Sequence, residues 1–179
     1  MKTILIAALL SCLSILQQEE PLSKVANVEL PQKSQRINNN NLSADTKNRF
    51  KSTMAISQYK HLYEVDKVLL AFSDYNETKN NLKALEDRRD EWLGGMNELG
   101  LKSNIDRAEI IKINNTRFLI MSLKNDDEYY SSFISDKKGL KGISGSVQYK
   151  AENREQGEKV LLDFLKRISF KAPSLSGDN

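Results

Sequence analysis

The chain offers one histidine, His61, and one cysteine, Cys12, so most catalytic constellations lack members. A serine nucleophile activated by His61 would need a carboxylate behind the ring and a Gly-x-Ser-x-Gly turn to present the hydroxyl. Gly142-Ile143-Ser144-Gly145 does not have that spacing and reads as strand. A zinc site needs three or four thiolate, imidazole or carboxylate ligands, which one histidine and one N-terminal cysteine do not supply. His61 is expected at the surface or half-buried, beside Tyr59 and Tyr63. Asp126, Asp127 and Glu128 bring three carboxylates together after Asn125. Calcium takes such oxygens, but the spacing is not that of an EF-hand loop, and a turn is the simpler use. Gly139, Gly142 and Gly145 recur every three residues without opening a helix after a strand, as a phosphate-binding loop must, so a bulged or closely packed strand is expected. No catalytic residue, metal ligand or cofactor is assigned.

Two features could meet a partner. Glu86-Asp87-Arg88-Arg89-Asp90-Glu91 is a mixed charge run, read either as a solvated helix face with i,i+4 pairs or as a docking face. Tyr129, Tyr130 and Phe133 form an aromatic group. At strand spacing Tyr129 and Phe133 share one face and Tyr130 takes the other, so at least one tyrosine belongs to the core. Tyr129, Tyr130, Arg88 and Arg89 are the residues expected to contact a partner. The 27 basic and 24 acidic residues, net +3, are mixed along the chain rather than clustered, so nucleic acid is not an expected partner.

The N-terminus carries an address. Met1-Lys2 is a short positive tip, residues 4–10 are uniformly apolar, and Gln17 to Pro21 ends the run. That is the build of a secretion signal over residues 1–17, too short to span a bilayer, which needs roughly 20 apolar residues. Leu9-Leu10-Ser11-Cys12 is similar to a bacterial lipobox, which would place acyl chains on Cys12 and hold the protein on a membrane by them. Ordinary cleavage after Ser14 is the rival and gives a soluble periplasmic or secreted protein. Either way the chain is expected to be exported to the cell envelope, touching membrane only through a lipid anchor.

Residues 18–47 hold Pro21, Pro31 and Asn38-Asn39-Asn40-Asn41, with few large apolar side chains, and are expected to be a disordered tether. A single domain is expected over 48–171 and a flexible tail over 172–179. Within the domain, residues 54–65 read as strand or short helix, and Lys67 to Ser73 as strand. Asp74, three before Glu77, is expected to open a helix running to about Glu98, with Leu82, Leu85, Trp92, Leu93, Met96 and Leu99 on one stripe. Ala108–Ile113 and Thr116–Lys124 flank Asn114-Asn115, a pair that tolerates a tight hairpin. Phe118-Leu119-Ile120-Met121 is apolar on both faces, hence central. Glu128–Ser135 and Lys141–Lys150 follow, the latter with Ser144, Ser146 and Gln148 on a face expected to be wet. A last helix, capped by Asn153 with Gln156, buries Val160, Leu161, Phe164, Leu165 and Ile168. The expected fold class is α+β: an antiparallel meander sandwiched between two helices, α/β/α.

From Ile113 to Phe170 the pattern resembles the second half of PsbP-like domains. The segments that carry it are Asn115-Thr116-Arg117-Phe118-Leu119-Ile120, Tyr129-Tyr130-Ser131-Ser132-Phe133, Gly142-Ile143-Ser144-Gly145-Ser146-Val147 and Leu165-Lys166-Arg167-Ile168-Ser169-Phe170. The resemblance implies an antiparallel sheet between helices and an accessory or binding role rather than an enzyme's, and it transfers no functional residue. A non-catalytic envelope protein that contacts another protein is the expected function. A carboxylate-dependent hydrolase of envelope glycans and an inhibitor or immunity protein are the alternatives.

Overall fold

Residues of positive φ mark three of the hairpin turns: Asp66 and Lys67 at 47° and 68°, Asn114 and Asn115 at 47° and 62°, and Asp126 at 53°. Asn and Asp tolerate this left-handed region better than other side chains, so the turns form where these residues stand. The computed structural model describes residues 21–38, 42–50, 54–78, 83–137 and 139–170. In chain order the elements are β1 (Ala26–Val28), β2 (Gln35–Arg36), α1 (Ala44–Arg49), α2 (Met54–Ser57), β3 (His61–Val65), β4 (Val68–Asn76), α3 (Leu85–Glu98), β5 (Ile105–Ile113), β6 (Thr116–Asn125), β7 (Glu128–Ser135), β8 (Lys141–Lys150), α4 (Arg154–Lys166) and β9 (Ile168–Phe170).

The expected meander β5–β6–β7–β8 forms one half of a seven-stranded sheet ordered β2-β3-β4-β8-β7-β6-β5. Every pairing in it is antiparallel. The β3–β4 hairpin joins the meander through β4 and β8, in register from Leu69 opposite Gln148 to Asn76 opposite Lys141. The fold is α+β, with helices on both sheet faces, as expected.

One face is packed against α4. Val68, Leu70, Phe72, Phe118, Ile120, Phe133, Val147 and Tyr149 meet Val160, Leu161, Phe164 and Leu165 in a single buried cluster. Each large side chain removed from water there contributes roughly 1.5–3 kcal/mol. Phe72 lies 4.9 Å from Phe164, ring to ring, and Phe133 lies 5.8 Å from it. The opposite face is covered at the β3–β4 end, where Leu42, Phe50 and Ile56 pack on Leu62, Leu69 and Ala71. It is covered at the β5–β6 end by α3.

The structure corrects four expectations. Residues 21–38 and 42–47 belong to the fold rather than to a tether. β1 pairs with β9, β2 with β3, and Ala26 and Leu42 are buried. Sparse apolar content misleads here because a few well-placed residues and backbone pairing suffice to dock an edge segment. Asp74 does not cap a helix. Asp74, Tyr75 and Asn76 continue β4 opposite Ile143, Gly142 and Lys141, and α3 starts at Leu85, where the Asp87 carboxylate accepts from the Ala84 backbone N–H. Asn153 occupies the N-cap of α4 without a side-chain hydrogen bond. Ser146 and Gln148, expected to face water, are buried because α2 and Tyr59 lie over that part of β8. The expected signal segment 1–17 with Cys12, the tail 172–179 and Leu82 lie outside the described residues.

Gly145 sits opposite Phe72 and Phe133, and a Cβ on it would overlap the Ala71 carbonyl and the Phe133 ring. Gly145→Ala should therefore cost about 1–3 kcal/mol, measured by urea unfolding, because neither the backbone oxygen nor the locked ring can give way.

Candidate functional site

On the sheet face opposite α4, the floor between the two covers is built of small and polar residues. Ser144 stands opposite Ile134, and Ser146 opposite Ser132. The Ser132 hydroxyl donates to the Met121 carbonyl at 3.2 Å. Over this floor a cavity of about 410 Å³ runs between Tyr59 on one side and Arg88 and Trp92 of α3 on the other, with Met121 and Ile134 beneath. Tyr59 is half-buried. Burial, then the neighbouring Tyr130, pushes its phenol above the ordinary tyrosine value, while the nearby Ser146 hydroxyl opposes the shift. Tyr59 stays a neutral donor at any physiological pH.

The α3 wall is pinned at its start and bare towards its end. Glu77, whose side chain is 8 % exposed, takes Arg88 and, at 2.5 Å, the Lys137 ammonium. Lys137 also donates to the Lys83 carbonyl at 2.7 Å. Burial, then the Arg88 charge, lowers the Lys137 ammonium. Leu85 is the helix residue fully buried; Trp92, Leu93 and Met96 are half-buried, and Leu99, just beyond the helix, is 69 % exposed. The apolar stripe read from the sequence exists, but much of it has no cover. Gly94 and Gly95 lie in the same stretch, and a Cβ on either would meet nothing within 4 Å. No packing reason requires them, and each weakens the helix by about 0.5–1 kcal/mol relative to Ala.

The expected contact residues divide between the faces. Tyr129 is 4 % exposed and lies on the α4 face, stacked on Tyr149 at 5.4 Å with the Arg154 guanidinium 4.9 Å from its ring. Tyr130 takes the opposite face, half-buried beside Tyr59. Arg88 is tied to Glu77 and lines the cavity, while Arg89 pairs with Asp90 at 2.9 Å. Tyr59, Trp92, Met121, Ser132 and Ser144 were missed. The serine alternation of β8 is the available signal, and it equally fits a strand with one wet face.

The acidic group is a turn held by a lysine. Lys150 reaches Asp127 at 3.0 Å and the buried Glu128 at 2.9 Å, and Gln148 donates to Glu128 at 3.1 Å. The hydrogen bond to Glu128 is the leading cause that raises the Lys150 ammonium above its ordinary value. Among the described residues, no three His, Cys, Asp or Glu side chains gather as a metal site.

His61 is 5 % exposed, against expectation, because β3 turns it onto the α4 face, where it stacks on Phe72 at 5.0 Å. Burial, then Lys60 and Arg36, lowers its pKa, while Asp74 and the Leu22 backbone oppose the shift.

No family model matches the chain, and no curated protein matches it. Among solved structures it is similar to the solution structure of cyanobacterial PsbP (CyanoP) from Synechocystis sp. PCC 6803. The identity is 9 %, the match covers 62 % of this chain and 74 % of that one, and the TM-score is 0.42.

Two outcomes follow. Gly94→Ala with Gly95→Ala should raise the unfolding free energy by about 1–2 kcal/mol, read by thermal melting, since α3 gains propensity and loses no contact. For His61, the unfolded chain binds the extra proton between the lowered folded pKa and the ordinary value of about 6.5, so its contribution is complete above about pH 6.5 and is lost as pH falls below it. A proton NMR titration of this sole histidine should give a midpoint below about 6.5; a midpoint above it would contradict the buried placement.

Proposed function

We infer that the protein is a non-catalytic binding module of the cell envelope whose partner is another protein, docking along α3 and into the groove beside it. The supporting observation is the uncovered flank of α3: Trp92, Leu93 and Met96 half-buried, and Leu99 and Leu101 exposed by 69 % and 39 %. Of these residues Trp92 also walls the cavity, opposite Tyr59. Apolar surface gathered beside a groove with aromatic walls and charges at its rim is how protein interfaces are built. Ser132 and Ser144 bring hydroxyls to the floor, and Arg88 and Glu91 supply charges on the α3 side. The export reading of the N-terminus gives the compartment. The hydrolase alternative loses its best carboxylates, because Asp127 and Glu128 are held by Lys150.

A photo-crosslinking residue at Leu99, with a control at Lys159 on the opposite helix, tests this in envelope extracts. A discrete adduct formed from position 99 and absent from 159 is expected. Leu99→Lys with Leu101→Lys should weaken capture by at least about tenfold with the melting temperature unchanged, as a loss of central apolar contacts requires. Equal crosslinking from both positions, or turnover of a glycan panel that depends on Asp127 or Glu128, overturns the reading.

A further inference from the structure

A second cavity lies on the α4 face, away from α3, where the N-terminal segment crosses the β2–β3 edge. The segment is fastened by Asp74: the Ser23 hydroxyl donates to it at 2.5 Å and the Lys24 backbone N–H at 2.7 Å. Between this segment and β3 is a space of about 770 Å³, within the range of small-molecule sites. Its apolar wall is Leu22, Val28, Leu30 and Tyr63; Arg36 and Lys60 also line it, and both charges are felt by His61. His61 is 5 % exposed, and its Nδ1 is buried with no hydrogen-bond partner. An unpaired buried polar atom costs roughly 1–3 kcal/mol, so a group that meets Nδ1 recovers that energy.

We propose that this cavity binds an amphiphilic carboxylic acid, its alkyl chain along Leu22, Val28 and Leu30 and its acid group among Arg36, Lys60 and the Nδ1 of His61. The two cations repel an ammonium headgroup and attract an anion. The lone pair on a neutral Nδ1 asks for a proton donor, which an alcohol could supply but without using the cations. A carboxylic acid satisfies both demands, and a carboxylate does so once one proton is taken up and shared with Nδ1. No bond other than that proton's changes. The groups that set this proton's position are Arg36 from β2, Lys60 before β3 and Asp74 from β4, the last already engaged by Ser23 and Lys24. Binding is therefore linked to proton uptake and tightens as pH falls towards the ordinary histidine value.

The test is titration of the full chain with sodium dodecanoate below its micelle concentration, followed by the ring resonances of His61, the only histidine. The expected result is a saturable shift of those resonances and an affinity that rises on acidification. Dodecanol and dodecyltrimethylammonium should bind at least about tenfold more weakly. Arg36→Gln, at an exposed position that leaves the core intact, should weaken dodecanoate by about tenfold. Dodecanoate binding that leaves the His61 resonances unmoved overturns the proposal, because the apolar N-terminal run alone would explain it. Equal affinity in Arg36→Gln, or for dodecanol, overturns it too. The α3 crosslinking result is independent of either outcome.

Discussion

The pairing of β4 with β8 is the constraint on which the rest of the molecule depends. It joins two hairpin systems that are far apart in sequence, and it works only because Gly145 lets the Ala71 carbonyl and the Phe133 ring approach the strand. Once that contact is made, Phe72 and Phe133 converge on Phe164, and α4 has one place to lie. Gly157 repeats the device a layer above, since a Cβ on it would overlap the Tyr149 ring. Gly157 is a costly residue for a helix interior. Here it permits a contact between α4 and β8 that a larger residue would hold open.

The two faces of the sheet then have different fates. The α4 face is closed by a continuous apolar cluster and by hydroxyl pairs such as Ser122 with Ser131 at 2.7 Å. The other face is closed at its two ends and open between them, with serines where large apolar residues would fill a core. Covering the open part fully would need a helix heavier than α3, whose Gly94-Gly95 pair and exposed Leu99 leave it lightly held. A helix anchored by the Glu77–Arg88–Lys137 ion group at one end and loose at the other can adjust its free end at small cost. That difference between the faces, rather than any cluster of reactive groups, is what points to binding.

Much of the fold was legible in sequence. The Asn114-Asn115 turn, the doubly apolar Phe118–Met121 stretch and the α4 stripe from Val160 to Leu165 report local geometry directly and lie where their patterns put them, whereas Ile168, expected on that helix, is buried from β9 instead. The illegible parts depend on partners distant in sequence. Asp74 reads as a helix cap until β8 is known to extend beside it, and residues 21–38 read as a tether until Asp74 and β9 are known to hold them. The candidate site suffered most. Ser144, Ser146 and Gln148 alternate as a solvated strand would, and only the position of Tyr59 reveals that Ser146 and Gln148 are covered while Ser144 is left at the cavity. Tyr129 and Tyr130 showed by parity that they face opposite ways, but parity does not say which face is closed. His61, alone of its kind, was legible as unfit for a triad and illegible as buried.

The central claim is a tightly held β4–β8 seam beside a lightly held α3, and native-state hydrogen exchange tests it most directly. Amides of β4 and β8 should exchange only through global unfolding, while those from Leu93 to Glu98 should exchange through openings at least about 2 kcal/mol cheaper. Protection of the C-terminal half of α3 equal to that of β8 would contradict the account, because it would mean that this face is already closed.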